Sequence, residues 1–399
     1  MHNGKDALDG AKELIDLMIS KNKKLIILSN TSSPSKTTLN RLENNLGFNS
    51  KDFLTAITSG EEACKYIKTK YGNESNDDNN NNNDVNKNKN KKKKFIWFTW
   101  DYPHNENVPN PMDFIDQLGG DSSNIEPTIN IDEADFIVAH GTGVIRGSGN
   151  SDTSDTTTNN IISIGNFIND DTDWYKIDEI LKECSKRNLP MICANPDYIV
   201  KYHDGTIKNM PGQIANRYIT KFNMNNSNNK NETIIFGKPN PEHFSCCINE
   251  IYKNYNEENS QNQNYNNNNN KENSNNEPQQ RKQKQQKQKH LRIAHVGDSI
   301  SHDIAGANSV NGIDSIFIIG GIHSDDELLR VQVEVESKSA IEKNVNDNGE
   351  NDNDNNNDNN VHVQSQSQSK SKLPSEKQLK EFFDNQGHTP THVVPMFQI

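Results

Sequence analysis

The sequence predicts an α/β protein: a parallel sheet covered on both faces by helices, with a smaller second domain. Three observations predict it. Short apolar runs bounded by turn residues alternate with segments of helical periodicity. Polar, chemistry-bearing side chains stand directly after several of those runs. Tracts of Asn, Gln, Lys, Asp and Ser fall between the elements, as loop insertions do.

Residues 5–20 read as a helix, with Leu8, Ala11, Ile15 and Met18 on one face. "KLIILSN" (24–30) is a buried strand. Ser33 and Pro34 read as the N-cap and first residue of a helix that carries Leu39, Leu42 and Leu46 and stops at Gly47. Ser59 and Glu62 have the spacing of a capping box. "FIWFTW" (95–100) and "ADFIVAH" (134–140) are strands. Trp174, Ile177, Leu181 and Cys184 mark a helix, and "PMICA" (190–194) a strand. "TIIFG" (233–237) is a strand, followed by a helix with Phe244, Ile248, Ile251 and Tyr255. "RIAHVG" (292–297) and "SIFIIGG" (315–321) are two more strands with a helix between them.

The chain has 399 residues, of which 30% are hydrophobic, and a formal net charge of −12. Residues 72–94, 146–160, 224–231, 254–290 and 334–372 are too polar to offset chain entropy by burial and read as disordered inserts. Without them roughly 280 residues remain, enough for one α/β core and a smaller domain. The acidic balance argues against general nucleic-acid binding; the exceptions, "KNKNKKKK" (87–94) and "RKQKQQKQK" (281–289), read as solvated basic loops, with a nuclear signal or RNA contact as the alternative. Five cysteines, without metal-like spacing, fit a reducing compartment. No segment is apolar enough to span a membrane and the N-terminus lacks an apolar signal core, so the expected location is the cytosol. A homo-oligomer is compatible with the sequence.

Three pieces stand at strand ends: Ser29-Asn30, Lys238, and Asp298 with Asp303 in "HVGDSISHDIAGA". A hydroxyl, an amine and two carboxylates in such places suit a phosphate and a hard cation such as Mg²⁺. Each also has a plain reading. Ser29 is a turn residue, Lys238 a loop charge, and Ser301 or Asp303 a cap on a helix over 301–311.

Together and in this order, "LSN", "GKPNP" and "VGDSISHDIAGA" resemble the second, third and fourth motifs of the haloacid dehalogenase superfamily. The closer resemblance is to its class IIA branch, which includes p-nitrophenyl, phosphoglycolate and pyridoxal phosphate phosphatases. "HNGKDALDGAKELI", "AITSGEEA", "MICANPDYIV", "PGQIANRY", "IFIIGGIHSDDEL" and "TPTHVVPMF" add to it. The resemblance implies a Rossmann-like core from residues 1–60 and 233–399, with a C2-type α/β cap from 61–232. It implies Mg²⁺-dependent hydrolysis of a small phosphorylated metabolite through an aspartyl phosphate. Ser29 and Asn30 would contact the phosphoryl group, Lys238 would stabilise its charge, and Asp298 would ligate Mg²⁺. Asp303 would support the metal or its water, and Ser299 would lie where backbone N–H groups help hold the phosphate. "HGTG" (140–143) and "ANPD", with Asn195 and Asp197, would lie in the cap near the leaving group; for "ANPD" a plain turn competes.

In that family the first motif is a strand ending in Asp-x-x-Gly or Asp-x-Asp-Gly, whose first Asp is the nucleophile. The stretch matching His2-Asn3-Gly4 follows it directly in relatives, and here the sequence begins at Met1. Asp6 and Asp9 have no apolar strand before them. The expectation is a truncated chain that is inactive as it stands. The competing readings are a non-catalytic phosphate- or metabolite-binding protein and an Asn-rich assembly scaffold.

Overall fold

A computed structural model describes residues 7–72, 92–103, 108–148, 160–165, 171–201, 206–223, 232–269, 291–319, 321–323, 326, 328–329, 332–334 and 370–394. The chain opens with α1 (Ala11–Ser20), β1 (Leu25–Ser29), α2 (Ser35–Leu46), β2 (Phe53–Thr58) and α3 (Ser59–Ile67). There follow β3 (Lys93–Thr99), α4 (Met112–Leu118), β4 (Ile125–Thr128), β5 (Phe136–Ala139), β6 (Val144–Arg146), β7 (Ile161–Ser163) and α5 (Asp171–Lys186). Next come β8 (Met191–Cys193), β9 (Ile199–Lys201), β10 (Ile207–Asn209), α6 (Pro211–Arg217) and β11 (Thr233–Ile235). The last part holds α7 (Pro241–Asn269), β12 (Ile293–Gly297), α8 (Ala305–Asn308), β13 (Ile313–Ile318), β14 (Gln332–Glu334), β15 (Lys370–Lys372), α9 (Glu376–Gln386) and β16 (His392–Val394).

The fold is α/β with largely parallel sheets. A seven-stranded sheet runs β11-β8-β5-β3-β6-β7, with β4 also on β3. β3, β4, β5, β8 and β11 are mutually parallel where they pair, and β6 and β7 are antiparallel. Ile137, Ile177, Leu181, Met191 and Ile214 fill one buried layer, and Phe95, Trp97, Phe114 and Phe136 fill the other. Two further parallel groups carry the candidate site: β1-β2, and β12-β13-β16. α1 and α2 cover β1 through Ala11, Ile15 and Leu42 against Leu25 and Ile27. Phe317 on β13 packs against Phe382 and Phe383 of α9.

Several expectations shift. β11 was expected to open the second core segment; it pairs instead with β8, so the seven-stranded sheet extends past residue 232. The first helix begins at Ala11, because Gly10 sits in the left-handed region at φ 73° and breaks the run. Pro34, not Ser33, occupies the N-cap of α2, while Gly47 ends that helix in a left-handed conformation as expected. The capping box at Ser59 is not formed. Thr58 is the N-cap, accepting from the Glu61 amide, because β2 continues to Thr58. The Ser59 hydroxyl bonds Ala194 O at 2.7 Å, and Glu62 pairs with buried His243. Lys93 and Lys94, expected within an insert, belong to β3. Residues 254–269, expected disordered, continue α7 as helix. The remaining inserts lie for the most part outside the described residues. Among the described residues no helix is long and apolar enough to cross a membrane.

Candidate active site

Ser29, Lys238, Asp298 and Asp303 line one cavity. Ser29 is the last residue of β1, Asp298 follows β12, and Lys238 lies in the turn after β11. They gather outside the carboxyl ends of parallel strands, where α/β sheets bind ligands. Asp9 is exposed and is not part of this lining.

Asn30 fastens three segments together. Its side-chain Nδ2 donates to Asp197 Oδ1 at 2.7 Å and to Lys238 O at 3.3 Å, and its Oδ1 accepts from the Lys238 amide at 2.6 Å. Gly237 makes this approach possible. It sits at φ +106°, and a Cβ there would lie 2.6 Å from Asn30 Oδ1 and 2.8 Å from Pro196 Cγ.

The Lys238 ammonium donates to Asp303 Oδ1 at 2.8 Å, and His295 Nε2 lies 2.9 Å from the same oxygen. The Ser299 amide donates to Asp303 Oδ2 at 3.1 Å. Burial pushes the Asp303 carboxyl up, but the Lys238 charge and the His295 hydrogen bond outweigh it and hold it well below the usual range. Burial would lower the Lys238 ammonium, yet Asp303, Asp197 and Asp298 together raise it. The pair is therefore ionised at neutral pH. Gly297 leaves room for it, since a Cβ there would sit 2.2 Å from the Asp303 carboxyl carbon.

Asp298 Oδ2 accepts from the Ile322 amide at 2.9 Å. Among the described residues no cluster of three or more His, Cys, Asp or Glu is arranged for a metal. Mg²⁺ commonly takes only one or two carboxylates, with waters and substrate phosphate oxygens completing its octahedron. Asp298, beside the cavity, suits that mode. Asp303 has both oxygens engaged by three donors, which leaves it a supporting role.

The other expected residues divide. The Ser29 hydroxyl oxygen accepts from the Thr31 amide at 3.3 Å, so its own proton is not used by that bond. The Ser299 amide, expected to face a phosphate, is already committed to Asp303, and the Ser299 side chain caps the following turn at His302. Neither Ser301 nor Asp303 is the helix cap there. Asn195 is buried and turns the chain by accepting from the Asp197 amide at 3.0 Å. It holds Asp197, and Asp197 reaches Asn30. Burial raises the Asp197 carboxyl, opposed by the Asn30 hydrogen bond and the Lys238 charge.

Sequence reasoning missed His295. Its position between Ile293 and Gly297 on β12 gives it the face toward Asp303, a period-2 signal. His302, which touches Ser299 Oγ at 3.0 Å, had no such signal.

Residues 1–78 match the family model described as haloacid dehalogenase-like hydrolase. No curated protein matches. Among solved structures, the chain is similar to a haloacid dehalogenase-like hydrolase from Brucella suis 1330. The identity is 18%, covering 82% of this chain and 83% of that one, with a TM-score of 0.49. A p-nitrophenyl phosphatase from Archaeoglobus fulgidus aligns at 14% identity over 97% of this chain and 86% of that one, TM-score 0.46. A glycerol phosphate phosphatase from Mycobacterium tuberculosis, in complex with calcium, aligns at 13% over 80% and 63%, TM-score 0.40. Over residues 1–78 the chain is therefore similar to the haloacid dehalogenase-like hydrolases.

Proposed function

We propose that the chain provides the phosphate- and cation-binding part of a Mg²⁺-dependent phosphatase for small phosphomonoesters. The observation that supports this reading is the convergence of Ser29, Lys238 and Asp298 on one cavity, with Asn30 locking the Lys238 backbone. Lys238 offsets the charge of a bound phosphoryl group, and the Ser29 hydroxyl donates to one of its oxygens. Asp298 would hold Mg²⁺, which would screen the phosphate and polarise it. Asp197, whose carboxyl is raised by burial, stands beside Asn30 where a leaving-group oxygen would need a proton donor.

An aspartyl phosphate requires a carboxylate free to attack. The three carboxylates here have other roles: Asp303 has both oxygens bonded by Lys238, His295 and the Ser299 amide, Asp298 is the proposed Mg²⁺ ligand and accepts from the Ile322 amide through one oxygen, and Asp197 holds Asn30 through one oxygen. That favours binding without turnover by these residues alone. The test is calorimetric titration of the whole chain with Mg²⁺ and inorganic phosphate, alongside a p-nitrophenyl phosphate assay. Saturable phosphate binding that weakens at least tenfold in Lys238→Met, with no turnover, supports the reading. Mg²⁺-dependent turnover abolished by Asp298→Asn would show that a nucleophile is present after all. Phosphate binding unchanged by Lys238→Met would end the assignment.

A further inference from the structure

The loop that follows β1 is held by groups from several other strand ends. The Ser59 hydroxyl is shared between Thr31 O at 3.1 Å and Ala194 O at 2.7 Å, and the Gly60 amide also donates to Thr31 O at 3.1 Å. The Ser32 hydroxyl oxygen accepts from the Trp100 indole at 3.1 Å. Gly60 packs so closely on the loop that a Cβ there would lie 2.1 Å from Ser32 O. Within the loop, the Thr31 amide donates to Ser29 Oγ at 3.3 Å and the Ser33 amide to Thr31 Oγ1 at 3.2 Å. Ser29 to Ser33 is therefore one hydrogen-bonded unit, and a displacement of Ser32 is passed on to Ser29 and Asn30.

His140 follows β5 in the seven-stranded sheet. It was expected near a leaving group, but it is only 1% exposed. Its ring lies against Phe114, with centroids 4.6 Å apart, and against Trp97 at 5.8 Å. Nδ1 is 3.0 Å from Thr99 Oγ1, and the ring donates a hydrogen bond to the Ser32 backbone. Burial keeps the imidazole neutral. A neutral imidazole has one donor and one acceptor. The donor is used on Ser32, so the nitrogen beside Thr99 accepts from the hydroxyl. Thr99, fully buried itself, thereby fixes the tautomer, and the tautomer fixes the bond to Ser32. An apolar side chain would fill this space without burying two polar groups. What the histidine adds is a directed bond to the loop that carries the site.

We infer that His140 is a positioning residue: through the Ser32 backbone it sets where Ser29 and Asn30 stand. It touches no ligand and acts only through the loop. The inference rests on the proposed phosphate site and extends it, because the groups that receive a phosphoryl group are then placed from the seven-stranded sheet and not by β1 alone. Asn30 passes the placement on, since its Oδ1 holds the Lys238 amide at 2.6 Å. Donors already in place need no reorganisation when a ligand arrives. Loss of the bond to Ser32 thus appears as weaker phosphate binding, with every phosphate-contacting side chain still present.

The test compares the full chain with His140→Leu, His140→Gln and Thr99→Val at pH 7.5. A glutamine amide can donate to Ser32 in place of the ring, and leucine cannot. Thr99→Val preserves the packing but removes the hydroxyl that fixes the tautomer, so it carries the test where His140→Leu does not fold. Amide exchange is read without ligand on residues 29–33 and, as the reference, on residues 136–139. The Kd for inorganic phosphate is read by calorimetry. Exchange about tenfold faster at 29–33 in His140→Leu and Thr99→Val is expected, the effect of one lost buried hydrogen bond, with 136–139 unchanged. Phosphate should bind about tenfold more weakly in the same variants, and His140→Gln should restore both quantities. Unchanged exchange at 29–33, or equal acceleration at 136–139, marks a merely structural role and overturns the inference. A folded His140→Gln that restores neither quantity overturns it as well, as does faster loop exchange with unchanged phosphate affinity. If the parent binds no phosphate, the proposed function fails, while the exchange contrast still decides whether His140 positions the loop.

Discussion

Lys238 Nζ and Asp303 Oδ1 meet at 2.8 Å across 65 residues of sequence, with side chains only 16% and 6% exposed. Taking two charges out of water is costly, and their attraction repays it only with good geometry and further hydrogen bonds. His295 and the Ser299 amide supply those bonds to Asp303. The pair also ties the turn after β11 to the turn after β12, so ligand chemistry and fold stability share one contact.

Removing one member should therefore cost far more than removing both. Lys238→Met leaves Asp303 buried beside only His295 and an amide, with an expected loss of about 3–5 kcal/mol. Lys238→Met with Asp303→Leu should recover most of that loss, since no unpaired charge remains. Urea unfolding of the two variants and the parent checks this. A single-variant loss below about 1 kcal/mol would mean that water reaches the pair.

Gly237 gives a sharper geometric prediction. Gly237→Ala combines a left-handed backbone with a Cβ placed 2.6 Å from Asn30 Oδ1. Gly312 also has positive φ, but a Cβ there meets nothing within 4 Å. Gly312→Ala should cost only backbone strain, about 1–3 kcal/mol. Gly237→Ala should cost that and also displace Asn30, so phosphate affinity falls in this variant alone. Equal phosphate affinity in both variants would show that the Asn30 clamp does not position Lys238.

Acid sensitivity should trace to His140. It is fully buried, and burial holds its imidazole down at about 3, despite a hydrogen bond that the ring donates to the Ser32 backbone and that acts the other way. Its unfolded value is near 6.5, so the unfolded chain binds a proton that the native chain refuses. The stability from neutral His140 is complete above that value and is lost as pH falls toward about 3, by up to roughly 1.4 kcal/mol per pH unit. Asp303, also held low, adds a loss that begins only below about pH 4. His140→Gln should flatten the stability curve between pH 4 and 6.5 and leave the steeper fall below it. Denaturant melts at half-unit pH steps resolve the two windows.

Much of the fold was legible because the apolar runs are short and sharply bounded. β3, β5, β8 and β12 lie within two residues of "FIWFTW", "ADFIVAH", "PMICA" and "RIAHVG", and β13 within three of "SIFIIGG". Local pattern could not tell which sheet a strand joins. "TIIFG" looks the same whether it pairs with β8 or with a core strand, and only tertiary packing decides. Composition misled at residues 254–269, where α7 carries its helix into an Asn-rich stretch after packing Phe244 beneath Gly306. At the site, the roles of single atoms were the illegible part. Ser299 and Asp303 stand at the expected places, but the sequence does not reveal that each satisfies the other.

Asp197 supplies the last prediction, and its sign is opposite to that of Asp303. Burial raises the Asp197 carboxyl, with Asp303 adding repulsion, while Asn30, Lys238 and His302 oppose the shift. A raised carboxyl means that the native chain binds a proton more readily than the unfolded chain. Stability from this group is thus fully present below the unfolded value near 3.9 and declines as pH rises through the native value. Asp197→Asn removes that decline. Its amide oxygen can still accept from Asn30 Nδ2, so the link between the 194–197 turn and β1 is kept. The variant should melt at a higher temperature than the parent at pH 7 and at nearly the same temperature at pH 4. A variant that melts lower at pH 7 would show that Asp197 works as an ionised partner of Lys238, and its role as a proton donor to a leaving group would fall with it.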